Sequence, residues 1–112
     1  MILKEVSGNR RLPIIIGASE AQSIALEMEG IKPPRPLTHD LLANVIDNLG
    51  GDLQDIFISE LSEHTYFAKL RIRKEGELIE VDCRPSDAIA LAVRFDAAVF
   101  VADGILDVGI EE

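Results

Sequence analysis

Runs of apolar residues and strict apolar–polar alternation predict six strands. Two short apolar runs flank Ser7-Gly8-Asn9, and because Gly and Asn tolerate positive φ, this segment predicts a hairpin turn. A period of two marks a second hairpin and a third strand joined to it through Glu75-Gly76. The predicted strands cover residues 2–6, 12–16, 53–61, 65–73, 77–83 and 98–102, and the last of them is expected to be buried.

Helical spacing predicts three helices. Ser19 and Gln22 have capping-box spacing, Thr38 and Ser86 are predicted N-caps of the second and third helices, and Gly30 is typical of a helix C-terminus. The predicted helices cover residues 19–29, 38–49 and 87–94. Three prolines make residues 31–37 a stiff, extended connector.

The apolar residues also predict which helix faces are buried. The first helix carries a stripe of Ala21, Ile24, Ala25 and Met28, and the third is apolar almost all round. The second helix has its own apolar face of Leu41, Leu42, Val45, Ile46 and Leu49. The mixed order of elements indicates an α+β fold, with about three helices packed on a mixed β-sheet in a single domain. We predict a domain at residues 1–105 and an acidic C-terminal tail at 106–112.

Charge and cysteine content narrow the classes of function. The net charge of −9 argues against a protein that holds nucleic acid by bulk electrostatics, although it allows a local basic site. The single cysteine, Cys83, excludes an internal disulfide and is expected to be an inert, buried thiol. No signal peptide plan and no apolar run of about 20 residues are present, so we expect a soluble, cytoplasmic protein.

The first candidate site follows the proline connector. Arg35 precedes the predicted helix N-terminus, where Thr38, His39 and Asp40 occupy the first turn. A helix N-terminus beside an arginine is suited to binding an anion, and His39 would act as a general acid or base near neutral pH. From composition alone we favour the structural alternative, since Thr caps helices and Asp in a first turn suits the helix dipole.

The second candidate site repeats this arrangement. Asp82 lies at the end of the predicted strand 77–83. Arg84 precedes Pro85 in the sequence, and Ser86 and Asp87 follow it at the start of the third helix. Asp82 and Asp87 would share a divalent cation through oxygen ligands. Alternatively, Arg84 forms an ion pair with one of them and Asp87 only complements the helix dipole. If both helix N-termini point the same way, the two Arg-Pro turns line one cleft.

A row of cations on the predicted second hairpin has two interpretations. Lys69, Arg71 and Arg73 share one strand face, with Lys74 adjacent, and would either follow a phosphate backbone or form a solvated face paired with acids such as Glu60, Glu77 or Glu80. We favour the solvated face, because Phe67 is the only aromatic residue predicted on it and single-strand binders use several. Glu20 and Glu29 are further candidate ligands only if they face the cleft.

Three strings of residues resemble a known family, the bifunctional nuclease domain. They are Ile16-Gly17-Ala18-Ser19-Glu20-Ala21, Glu29-Gly30 followed by Pro34-Arg35-Pro36-Leu37-Thr38-His39-Asp40-Leu41-Leu42, and Asp82-Cys83-Arg84-Pro85-Ser86-Asp87-Ala88-Ile89-Ala90-Leu91-Ala92. The resemblance runs from about residue 2 to about residue 105. It implies an activity on DNA and RNA. Many members carry a strand before the point where this chain begins, and its absence would expose a sheet edge and favour a homo-oligomer.

Two functions are therefore expected. The first is a nuclease that hydrolyses phosphodiester bonds of DNA and RNA with little sequence specificity, using Mg²⁺ or Mn²⁺. Arg35, Thr38, Arg84 and Ser86 would bind the substrate, Asp82 and Asp87 the metal, and the catalytic set would be His39, Asp40, Asp82 and Asp87. The second is a non-catalytic module that binds a small anion or a protein, with no membrane contact in either case.

Overall fold

The computed structural model describes residues 2–4, 8, 10–13, 18–62, 65–102 and 107–108, which form three helices and two sheets. The fold is α+β and a single compact domain, as the pattern of elements predicts. Its elements are β1 (Ile2–Lys4), β2 (Arg10–Pro13), α1 (Ala18–Met28), α2 (Thr38–Asn48), β3 (Asp52–Ser62), β4 (Thr65–Lys74), β5 (Glu77–Cys83), α3 (Pro85–Phe95), β6 (Ala98–Val101) and β7 (Asp107–Val108).

The larger sheet has the strand order β5-β4-β3-β6. Strands β3, β4 and β5 pair antiparallel, and β6 returns from α3 to pair parallel with β3. The β4–β5 turn uses Glu75 and Gly76 at φ of 51° and 83°, so both central residues have the positive φ of a type I′ hairpin turn. The predicted hairpin and third strand are thus confirmed, and every predicted end lies within one residue of the observed one.

The core lies between this sheet and the helices. Ile56 and Ile58 of β3 are completely buried, and Ala68, Leu70 and Ile72 of β4 face the same side. Helix α3 packs over them, and its residues Ala88, Ile89, Ala90, Leu91 and Ala92 are all buried. The prediction that the third helix is buried on most sides is confirmed, and α3 is consequently the element around which α1, α2 and the sheet are arranged.

The smaller sheet joins the two ends of the chain in the order β1-β2-β7. The pairing of β1 with β2 confirms the first predicted hairpin, although residues 14–16 of its second run lie outside the described residues. Asp107 and Val108, within the segment predicted as a tail, pair with β2. Among the described residues β1 pairs with β2 alone, and the homo-oligomer stays a prediction.

All three predicted N-caps are wrong, each by one or two residues. Helix α1 begins at Ala18, α2 at Thr38 and α3 at Pro85, which places Ser19, Thr38 and Ser86 inside the first turns. The actual N-caps of α2 and α3 are Leu37 and Arg84, both extended and without a side-chain cap. Proline is the reason at α3, because it forces the preceding residue out of the helical region and is itself favoured at the first helical position.

The predicted faces of α1, α2 and β6 are also wrong. In α1, Ser23 and Ile24 are buried, whereas Ala21, Ala25 and Met28 are exposed. In α2 the buried residue is His39, and most of the expected apolar face is exposed: Leu41, Leu42, Val45 and Leu49. Strand β6 is exposed at its first three residues. Ile24 and Ile46 are the members of the two predicted faces that pack in or against the core, and polar contacts to His39 and Arg94 join the helices beside them.

Two further expectations concern connections and the membrane. Residues 31–37 contain no helix or strand, as their prolines predict, and Gly30 and Gly50 end α1 and α2 at φ of 71° and 87°. Within the described residues, no helix is both long and apolar enough to cross a membrane.

The core of the larger sheet provides a stability prediction. Ile58→Ala removes a completely buried side chain and should lower the free energy of unfolding by about 2–5 kcal/mol. Ile79→Ala is the matched control, because Ile79 is 40% exposed on β5 and should lose about 1 kcal/mol. Urea unfolding of both variants at pH 7 checks this, and equal losses would mean that the two side chains do not differ in burial.

Candidate functional site

The first turns of α2 and α3 meet through one hydrogen bond. His39, the second residue of α2, places Nε2 3.0 Å from Oδ1 of Asp87 in the first turn of α3, across 48 positions of sequence. His39 is 8% exposed and Asp87 is half-buried, so the bond lies at the edge of the helix-packed core. The helix N-termini that follow the two Arg-Pro turns are therefore in contact.

The bond belongs to a chain of contacts that crosses the helix layer. The Oγ of Ser23 in α1 lies 3.0 Å from Nδ1 of His39, so both ring nitrogens have partners. At the other end, Arg84 donates from Nε to Oδ2 of Asp87 over 2.8 Å and from Nη2 to Oδ1 over 3.0 Å. This bidentate pair leaves the Arg84 side chain 66% exposed, at the solvent end of the chain of contacts.

A buried arginine of α3 donates hydrogen bonds to the same region of α1 and α2. Arg94, whose side chain is 6% exposed, donates from Nε to Oδ1 of Asp40 over 2.7 Å. Its Nη1 donates to the carbonyl of Ala90, and its Nη2 to Oγ of Ser23 over 3.0 Å. Because a buried guanidinium is costly without acceptors, these contacts tie α1 and α2 to α3.

The two aspartates of this region are held in the ionised form. A hydrogen bond from the Leu37 backbone N–H, 3.0 Å from Oδ2, and the Arg94 guanidinium lower the pKa of Asp40. The Arg84 guanidinium, with a smaller contribution from His39, lowers the pKa of Asp87 against the opposing effect of burial. Both carboxylates therefore act as acceptors at neutral pH.

A cavity of about 480 Å³ opens between the two helix N-termini. Leu37 and Arg84, the N-caps of α2 and α3, both line it, so the cavity lies beside the positive ends of two helix dipoles. The first N–H groups of a helix have no acceptor within the helix, which makes such ends suitable for anions. The described residues lining it are Gln22, Ser23, Leu37, Thr38, His39, Leu42, Arg84 and Asp87.

Half of the predicted site residues meet at this cavity. Thr38, His39, Arg84 and Asp87 line it. Asp40 does not line the cavity and accepts a hydrogen bond from Arg94. Ser86 is 7% exposed within the first turn of α3. Arg35 and Asp82 are exposed and are not among the described lining residues. The side chain of Glu20 lies outside what the structure describes.

The predicted metal pair is not preassembled. Both Asp87 oxygens accept hydrogen bonds from His39 or Arg84, and Asp82 lies on β5 opposite Lys69 of β4. Among the described residues, no group of three or more His, Cys, Asp or Glu side chains is placed to hold a metal ion. The described residues therefore do not form a ready-made set of metal ligands, and the Mg²⁺ or Mn²⁺ expected from the sequence stays a prediction.

The row of cations on β4 is largely matched by acids, as the solvated-face interpretation predicts. Lys69 lies 3.6 Å from Glu80, and Arg71 forms a bidentate pair with Asp55. The expectation of one aromatic residue on this face is wrong, because strand pairing places Phe57 opposite Lys69 and Phe100 beside Phe57. Compensated charge still makes the face a poor track for a polyanion.

Cys83 is half-buried at the end of β5. Burial, and after it the negative charges of Asp87 and Asp82, raise its pKa to about 11. Because the thiolate is the reactive form, a raised pKa disfavours reaction of Cys83 at neutral pH, although the thiol is less buried than the sequence predicts.

Sequence reasoning missed two residues of this site. Ser23 lies off the apolar stripe predicted for the first helix, and its burial follows from its contacts to His39 and Arg94. Arg94 carries a usable signal, because it is the only cation of a helix that is apolar from Ala88 to Val93. A charge in such a helix requires a buried partner, and Asp40 is that partner.

Comparisons with known proteins agree on one family. The family model for the bifunctional nuclease domain matches residues 1–111 of this chain. An uncharacterised protein of Mycobacterium tuberculosis is 44% identical over 106 residues, which are 95% of this chain and 63% of that protein. Bifunctional nuclease 1 of Arabidopsis thaliana is 30% identical over 86 residues, or 74% of this chain and 26% of the plant protein. The chain thus spans less than two thirds of the length of these relatives.

The Asp40–Arg94 pair generates a pH-dependent prediction. Asp40→Asn should lower the free energy of unfolding at pH 7 by about 2–3 kcal/mol, because it leaves the buried guanidinium without a counter-charge. Since folding lowers the pKa of Asp40, its stabilisation is complete above the ordinary value of 3.8 and disappears as pH falls through the folded value. Urea unfolding from pH 7 to pH 2 should show the difference from the wild type shrinking below about pH 4.

Asp47→Asn is the control for this prediction. Asp47 is an exposed carboxylate in the last turn of the same helix, and its removal should change stability by about 0.5 kcal/mol or less at any pH. A difference between Asp40→Asn and wild type that stays constant down to pH 2 would show that the charge of Asp40 is not what stabilises the fold.

Proposed function

Because the chain belongs to the bifunctional nuclease domain family, we propose that it hydrolyses phosphodiester bonds of DNA and RNA with little sequence specificity. The plant relatives that carry the name bifunctional nuclease support this proposal, at 29–30% identity. The Mycobacterium protein is uncharacterised and adds no activity. The matched residues are only 63% of the Mycobacterium protein and 26% of the plant protein. Any activity that the relatives have as whole proteins therefore comes to this chain only as part of this proposal.

The observation that carries the proposal is the position of Arg84 between two helix N-termini. The overall charge of −9 repels nucleic acid, so a substrate needs a local positive site. The N-terminal ends of α2 and α3 supply partial positive charge, and Arg84, which is paired with Asp87, places an exposed guanidinium at the cavity. A phosphate seated there would be held by Arg84, the Thr38 hydroxyl and helix N–H groups.

The same groups would favour the reaction itself. In phosphoryl transfer, negative charge is distributed over the equatorial oxygens of the transition state, and preorganised donors stabilise it without reorganisation. Arg84 is preorganised by its bidentate contact with Asp87. Leu37 and Leu42 provide an apolar wall, against which a base would rest without being read by hydrogen bonds. This composition is in keeping with low sequence specificity.

A non-catalytic function is the second candidate, and a specific observation favours it. Both nitrogens of His39 have partners, and no metal-binding group is assembled among the described residues. A cavity that binds a phosphate but contains no free base would retain an anion without turning it over. The expected Mg²⁺ or Mn²⁺ remains a prediction, and the following experiment tests it by comparing Mn²⁺ with EDTA.

Arg84→Met and Arg35→Met test the proposal as a pair. Each variant removes an exposed arginine that is followed by a proline close to a helix N-terminus. Of these two arginines, only Arg84 lines the cavity. We expect Arg84→Met to reduce cleavage of fluorescent single-stranded DNA and RNA oligonucleotides by about 100-fold, the usual cost of losing one transition-state donor. Arg35→Met should retain activity to within about threefold.

The outcomes separate the two candidate functions. Cleavage that both variants retain would identify a contaminating nuclease. Oligonucleotide binding that depends on Arg84, with no turnover in either Mn²⁺ or EDTA, would establish the non-catalytic alternative. Equal loss in Arg35→Met would place the phosphate at the proline connector, outside the cavity.

A further inference from the structure

We propose that His39 is a positioning residue that fixes Asp87 and, through it, the guanidinium of Arg84, and that it is not the general base expected from sequence. The positioning of Arg84 by His39 is inferred from geometry alone. Its expected effect on cleavage rests on the proposed function. It also assigns a role to Ser23, which the sequence did not single out.

The first step is the location of the ring proton. Asp87 is ionised beside Arg84 and can only accept hydrogen bonds, so Nε2 of His39, 3.0 Å away, must carry a proton. When the ring is neutral, Nδ1 is then the unprotonated nitrogen. The proton position follows from the chemistry of the partners, as it must at a histidine.

The second step concerns the other nitrogen. Arg94 can only donate, so Oγ of Ser23 accepts from its Nη2 at 3.0 Å. The hydroxyl proton of Ser23 can therefore point to Nδ1 of His39, also 3.0 Å away. All donors in the chain then run in one direction, from Arg94 through Ser23 and His39 to Asp87.

The third step is what this direction excludes. A general base needs an unprotonated nitrogen within hydrogen-bond reach of the attacking water. The only such nitrogen of His39 faces the buried Ser23, and the nitrogen toward Asp87 holds a proton. What His39 can do is fix the Asp87 carboxylate, whose two oxygens both contact Arg84. Arg84 is the only member of the chain of contacts that is mostly exposed.

The tautomer of His39 is the first test, and it requires no activity. The full chain contains two histidines, so a long-range ¹H–¹⁵N spectrum of labelled protein at mildly alkaline pH resolves both, and His39→Gln assigns them by loss of signal. We expect a protonated Nε2 and an unprotonated Nδ1. A proton on Nδ1 would overturn the proposal.

His39→Gln and His39→Ala are the second test. Glutamine reaches about as far as Nε2 and can donate to Asp87, but it cannot act as a base, whereas alanine does neither. We expect the Arg84 Nε–H resonance, assigned with Arg84→Lys, to remain protected from solvent exchange in His39→Gln and to lose that protection in His39→Ala. Loss of protection in both folded variants would contradict positioning through Asp87.

Oligonucleotide cleavage completes the test. His39→Gln should retain cleavage to within about threefold, and His39→Ala should lose at least about tenfold; loss of a general base would instead cost about 100-fold or more in both variants. Equal losses would therefore overturn the inference. If the wild-type chain does not cleave, the proposed function fails, while the tautomer and the Arg84 resonance still decide whether His39 positions Arg84.

Discussion

The hydrogen bond between His39 and Asp87 is the contact on which the rest of the site depends. It is 3.0 Å long and joins the first turns of α2 and α3, which are far apart in sequence. The cavity opens beside it, and Asp87 connects it to Arg84. Burial at the edge of the core strengthens the bond, because a charge-assisted contact gains energy where water is partly excluded.

Arg94 explains why this contact can exist. Helix α3 buries Ala, Ile and Leu residues on nearly all sides, yet it ends in a guanidinium that must find acceptors inside the protein. Asp40 and Ser23 provide them from two different helices. Polar contacts therefore join α1 and α2 to α3 beside the apolar core, and Leu41, Leu42 and Val45 remain exposed on α2 while His39 is buried.

The arrangement separates two roles that arginines play in one small domain. Arg94 is buried and satisfied by its own chain, so its contribution is structural. Arg84 is mostly exposed, lines the cavity and forms a bidentate pair with Asp87. A negatively charged protein can in this way present a confined site for an anion without acquiring a basic surface.

The sequence by itself determined the α+β class, the antiparallel β4–β5 turn, the buried character of α3 and the family, since these follow from local periodicity, from positive-φ positions and from long specific strings. It also indicated that His39, Arg84 and Asp87 belong to sites. Only the tertiary structure decided that His39 contacts Asp87, that Ser23 and Arg94 complete the chain of contacts, and that Arg35 lies outside the cavity lining. The reason is physical: periodicity reports which residues favour burial, but the partner of a buried polar group is chosen by packing between distant segments.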